Sequence, residues 1–156
     1  MLGSRRVDLI AYIQVDFFLS CVTPLKEGMI MILRYVVLLV GSLVITFWGI
    51  THLFPTRSIV NGFGSISLDN KRIITMEWIA EGLTLCFIGV LVLLVTSFAG
   101  PQNLVSVLVY QAAAWMLVVM AGLTFLTGAK TSITPIKICP LVKSIVAILF
   151  FLGSAL

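Results

Sequence analysis

The sequence predicts an all-α, polytopic membrane protein: four transmembrane helices in a bundle, with a long ordered loop between helices 1 and 2. Two observations carry this. The 156 residues are 60% hydrophobic and 10% charged, whereas a soluble domain averages about 45–50% apolar and 25% charged residues. Such a chain cannot clothe a water-facing surface, so lipid is its solvent and the backbone must close on itself as helices or a barrel. The apolar residues also come in long unbroken runs rather than in alternation, which selects helices.

The first span runs from Tyr35 to Phe54 and is stopped by Pro55, which cannot continue a helix ladder. The second runs from Thr75 to Phe98, and Gly100-Pro101 turns the chain. The third covers Asn103 to Leu126, and a polar loop follows from Gly128 to Thr134. The fourth covers Pro140 to Leu156. Each is close to the roughly 20 residues that cross about 30 Å of hydrocarbon. Lys143 lies near the start of the fourth span and is expected to snorkel to the interface.

The connections differ in character. The turn between spans two and three is short, so those helices form a hairpin. The loop from Pro55 to Ile74 carries the turn signature Asn61-Gly-Phe-Gly64 and the apolar residues Phe63, Ile66 and Leu68. Loops of this length in a compact unit tend to be functional, and this one reads as an ordered cap. Residues 29–156 form the four-helix transmembrane domain. Residues 1–28 differ: Asp8, Gln14 and Asp16 interrupt their apolar stretch. They read either as an interfacial helix or as a start-site artefact ahead of Met29 or Met31. Ser4-Arg5-Arg6 and Leu19-Ser20-Cys21 are chance matches to export and lipidation signals, since the two aspartates break the region between them.

The net charge of +4 comes from lysines and arginines that flank the spans. Arg57, Lys71, Arg72, Lys130 and Lys137 lie in loops one and three, with Lys143 just inside span four. The opposite side carries Arg34, joined by Arg5, Arg6 and Lys26 if residues 1–28 are native. The excess places loops one and three in the cytoplasm and the C-terminus outside, in the cell inner membrane. No nucleic-acid motif or basic stripe with exposed aromatics occurs. The three cysteines, Cys21, Cys86 and Cys139, form no C-x-x-C pair. No G-x-S-x-G, P-loop or H-E-x-x-H sequence is present.

The polar residues within the spans are few. Glu77 and Glu81 stand one helical turn apart at the start of span two, and His52 lies near the end of span one. All three border loop one, hence one leaflet. Intramembrane ionisable groups are functional-site candidates by default, so Glu81, Glu77 and His52 form the candidate polar site. Two carboxylates that close repel, and a proton or a cation must intervene. Arg57 and Arg72 are the expected charge partners. Glu77 also has a plainer role, because acids favour a helix N-terminus. A zinc site needs three or four ligands with defined geometry, which one histidine and two glutamates fit weakly. No metal or cofactor is therefore expected. In span three, Tyr110 and Gln111 are expected to make polar contacts between helices. Gly41, Gly49, Gly82 and Gly89 give small faces for packing. Trp78 suits an interfacial belt, whereas Trp48 and Trp115 suit bundle or lipid contacts.

Two segments carry a family resemblance: Gly49-Ile-Thr-His52 with Pro55, and Glu81-Gly82-Leu-Thr-Leu with Gly89. They resemble the DoxX-like group of small four-helix bacterial membrane proteins over the first two spans. The resemblance implies a four-helix bundle, and the group's mixed functions imply no particular activity. Nothing marks the chain as an enzyme. The leading expectation is an accessory or assembly subunit of a membrane complex. The alternatives are a small proton-coupled transporter using the Glu/His site, and an enzyme acting on a lipid or quinone. The expected partners are the bilayer and a second copy or another membrane protein, and not nucleic acid.

Overall fold

The computed structural model describes residues 2–128, 131 and 134–156, with side chains from Leu25 onward. Five helices follow in order: α1 Leu2–Leu53, α2 Thr56–Gly62, α3 Leu68–Phe98, α4 Leu104–Gly128 and α5 Thr134–Ala155. Four stretches are long and apolar enough to span a bilayer: Leu25–Leu53, Leu68–Phe98, Leu104–Gly128 and Thr134–Ala155. The chain is an integral membrane protein of all-α class, with four membrane-crossing helices among the described residues.

The backbone divides into two compact units, Met1–Leu33 and Arg34–Leu156. The first unit is helical from Leu2. The choice between an interfacial helix and a start-site artefact for residues 1–28 turns mainly on side chains outside the described residues. The second unit holds the bundle and the site.

Several boundaries lie further out than hydropathy predicts. α3 begins at Leu68, seven residues before Thr75, because polar residues extend the helix beyond the hydrocarbon. The Ser67 side chain caps it by accepting from the Asn70 backbone N–H at 3.2 Å, and Asp69 sits in the first turn, where the helix dipole favours an acid. At 1.5 Å per residue its 31 residues measure about 46 Å, well beyond a 30 Å core. α5 likewise begins at Thr134 rather than Pro140. Pro135 falls in its first turn, where a missing N–H is harmless, and Pro140 is accommodated inside the helix. The long first loop is ordered and contains α2. Lys71 donates to the Asn61 carboxamide at 3.1 Å and ties the loop to the start of α3.

The bundle closes as a ring in which α1 and α4 each pack against both α3 and α5. Small residues set these contacts. A Cβ added at Gly49 would lie 2.7 Å from the Cys86 nitrogen and the Gly82 oxygen, and one at Gly89 2.7 Å from the Ser42 oxygen. The α1 and α3 backbones therefore touch along this stripe, as small-residue interfaces in membranes allow. On the other side of α1, Gly41 lies under Phe150 and Gly153 under Leu38. Leu38, Ile45, Leu85, Val92, Leu117 and Phe150 fill the centre. Gly100, at φ +81°, makes the left-handed turn between α3 and α4 that glycine adopts without strain.

Several polar groups in the bundle are satisfied locally, whereas Arg34 Nε and Ser106 Oγ are buried without a partner among the described residues. Ser42, Thr46 and Thr96 donate to the carbonyl four residues back, at 2.6–2.8 Å. Tyr110 is buried, and its hydroxyl meets Thr96 Oγ1 at 3.0 Å, joining α4 to α3. Gln111 is exposed on α4, so the expected cross-helix amide contact is replaced by this Tyr110–Thr96 pair. One residue step rotates a helix by about 100°, which suffices to turn Gln111 out of the bundle.

Candidate functional site

Each of the four long helices sends a polar side chain to one point near the first loop. α1 contributes Trp48 and His52, α3 contributes Trp78 and Glu81, α4 contributes Thr124, and α5 contributes Cys139 and Lys143. The three pairs stand three or four residues apart, the spacing that places side chains on one helix face.

His52 lies in the last turn of α1 and is buried. Its Nδ1 faces the Trp48 carbonyl oxygen at 3.0 Å. A carbonyl only accepts, so Nδ1 carries a proton, and the tautomer with one proton has its lone pair on Nε2. Nε2 points at Cys139 Sγ, 3.6 Å away. The ring is clamped by two tryptophans: Trp78 stacks on it at 4.9 Å and 23°, and Trp48 meets it edge-on at 5.7 Å. Trp78 also donates its indole N–H to the His52 carbonyl oxygen at 2.6 Å. Trp78 is therefore a buried strut, packed on His52 between α3 and α1.

Cys139 is buried and central. It accepts from the Trp48 indole N–H at 3.5 Å and lies 3.7 Å from Glu81 Oε1. Lys143 donates to that same Glu81 oxygen, and to Thr124 Oγ1 at 2.8 Å. The lysine side chain is 1% exposed and the glutamate 26%. A lysine so deep is tolerable only with its charge paired and its protons bonded. Glu81 and Thr124 meet that need.

These positions correct several expectations. Lys143 does not snorkel. With α5 starting at Thr134, it lies about 14 Å along the helix axis and turns inward toward the acid. The charge partner of Glu81 is thus Lys143, not Arg57 or Arg72. Arg57 is exposed on α2, and Arg72 pairs at 3.8 Å with Asp69 in the exposed first turn of α3. Glu77 is exposed and does not join the group. Glu81 and His52 do come together, and the residue linking them is Cys139. The signals that point to the missed residues are modest: the four-residue spacing of Cys139 and Lys143, and one deep base to match one deep acid.

The group lines one side of a cavity of about 300 Å³, whose wall includes His52, Phe63, Trp78, Glu81, Thr124 and Cys139. Phe63, from the turn after α2, brings the first loop to the cavity. One ligand-type atom from each of His52, Glu81 and Cys139 lies within 4.8 Å of the others. The cavity thus presents an imidazole lone pair, a thiol and a carboxylate beside a fixed ammonium. Such a set can bind a cation through the first three. Comparison with family models, with curated proteins and with solved structures finds no match for this chain.

Proposed function

We propose that this chain is an accessory membrane protein that holds a small polar ligand in the pocket at the first-loop end of its bundle. The observation that carries the reading is the convergence of His52, Glu81 and Cys139 on the cavity, with Lys143 held on Glu81. A purely structural ion pair needs neither an adjacent 300 Å³ space nor an imidazole lone pair and a thiol turned toward each other beside it. The Lys143–Glu81 pair spans α5 and α3. It ties two helices that a carrier by alternating access has to move apart, which favours a resident ligand over a transported one. The charge bias of Arg57, Lys71, Arg72 and Lys137 around this end supports its facing the cytoplasm of a bacterial inner membrane. The DoxX-like resemblance in the segments around His52 and Glu81 agrees with a site between the first two spans.

The test is chemical access. In a Cys21→Ser, Cys86→Ala protein in lipid nanodiscs, Cys139 reacts with a small methanethiosulfonate reagent and resists a bulky maleimide. Inertness of Cys139 to both, with full reaction after denaturation, overturns the pocket reading and leaves the cluster a structural tie.

A further inference from the structure

We infer that His52, Cys139 and Glu81 form a binding site for a transition-metal dication, with Zn²⁺ as the ion its chemistry fits. The assignment rests on the pocket reading above and names the ligand class of that pocket.

Three observations converge. The first is the spacing. Zinc binds sulfur at about 2.3 Å and imidazole nitrogen or carboxylate oxygen at about 2.0–2.2 Å, and at tetrahedral angles those bonds hold ligand atoms about 3.5 Å apart. Cys139 Sγ lies 3.6 Å from His52 Nε2 and 3.7 Å from Glu81 Oε1. These two separations suit hydrogen bonds to sulfur and equally match two edges of a metal-centred tetrahedron, and the third, between His52 and Glu81, is no longer than 4.8 Å.

The second is the state of the histidine. A metal-bound imidazole characteristically donates its other ring N–H to a carbonyl or carboxylate, which fixes the tautomer and aims the lone pair. His52 does this through Nδ1 and the Trp48 carbonyl, and the tryptophan clamp holds the ring in place. The lone pair points into the cluster, as ligation requires.

The third is the mix of donors. A thiolate, an imidazole and a carboxylate together suit zinc better than calcium or magnesium, which prefer all-oxygen sets. Three protein ligands leave a fourth position, and all three line the cavity.

Lys143 sets the charge balance. On binding, the Cys139 thiol loses its proton to solvent, His52 remains neutral and Glu81 remains a carboxylate. The dication then meets two negative ligands, with the ammonium beside them on Glu81 Oε1. One proton is released per ion bound. The residual positive charge makes the fourth position favourable for an anionic or polarisable group entering through the cavity.

The experiment uses the full chain in nanodiscs, with Zn²⁺ and Co²⁺ alone as probes. Co²⁺ is expected to bind one per chain with an intense thiolate-to-cobalt charge-transfer band and visible bands of tetrahedral strength. Zn²⁺ should displace it, and Cys139→Ser should abolish the charge-transfer band. A second measurement needs no change at the ligands. In the Cys21→Ser, Cys86→Ala protein, stoichiometric Zn²⁺ should slow modification of Cys139 about tenfold or more, because a metal-bound thiolate is not free to attack. Cobalt binding without the thiolate band, or Cys139 that reacts equally fast with and without zinc, overturns the metal site while the pocket stands. Cys139 inert in the metal-free protein overturns the pocket, and with it the metal site.

Discussion

Lys143 on α5 and Glu81 on α3 meet through the interior of the bundle, and the glutamate oxygen that takes the lysine also faces Cys139. One carboxylate thereby joins a structural tie to a chemical group. Removing either partner strands a charge in a poorly solvated place, at a cost of about 3–5 kcal/mol.

The first prediction follows directly. Lys143→Met and Glu81→Gln each lower the unfolding stability in detergent: the first strands a part-exposed carboxylate, and the second strands a buried ammonium that keeps an amide oxygen to donate to. The double variant Glu81→Gln, Lys143→Met recovers most of the loss, since no lone charge remains. Losses that simply add in the double variant would show that the two groups do not act as a pair.

The two glutamates of α3 should behave differently. Glu77 is exposed and outside the cluster, so Glu77→Gln should change stability by no more than about 0.5 kcal/mol. Glu81→Gln should change stability, the reactivity of Cys139 and ligand binding together. Equal, negligible effects of both on folded yield and thiol reactivity would refute the assignment.

Gly49 and Gly122 offer a matched pair of substitutions. A Cβ at Gly49 meets backbone atoms of α3 at 2.7 Å, whereas one at Gly122 has no neighbour within 4 Å. Gly49→Ala should destabilise by about 1–3 kcal/mol through overpacking. Gly122→Ala, in the interior of α4, should stabilise by up to about 1 kcal/mol through helix propensity. Thermal unfolding of the two variants side by side checks the packing of α1 on α3.

Tyr110→Phe removes the hydroxyl that meets Thr96, yet Thr96 keeps its bond to the Val92 carbonyl. The cost should be small, near the 0.6 kcal/mol average of interhelical hydrogen bonds in membranes. A loss above about 2 kcal/mol would mean that the hydroxyl does more than join two helices.

The class of the fold was legible in the sequence because it depends on bulk properties, the length and apolarity of the runs. Helix ends were less so. Hydropathy marks where the hydrocarbon stops, while capping by Ser67 and the tolerance of Pro135 in a first turn decide where the helix starts. The site was half legible. His52 and Glu81 stand out as lone polar residues in apolar spans. Cys139 and Lys143 do not, because a cysteine reads as packing and a lysine near a span's end reads as interfacial. Cys139 and Lys143 share the face of α5 that turns inward, and hydropathy alone does not report that facing. Arg57 and Arg72 misled for the converse reason: closeness in sequence to the site is not direction toward it.

The buried lysine also bears on how the chain is made. A lysine at the centre of a helix costs about 2.5–3.5 kcal/mol to pass into lipid alone. α5, which carries Lys143, leaves the ribosome after α3, which carries Glu81, and α4 lies between them. The acid is thus already waiting when the base emerges, and α5 can enter the membrane as the partner of α3 rather than as an independent segment. Biogenesis then proceeds by recruitment, with α5 accepted because α3 has prepared its counter-charge.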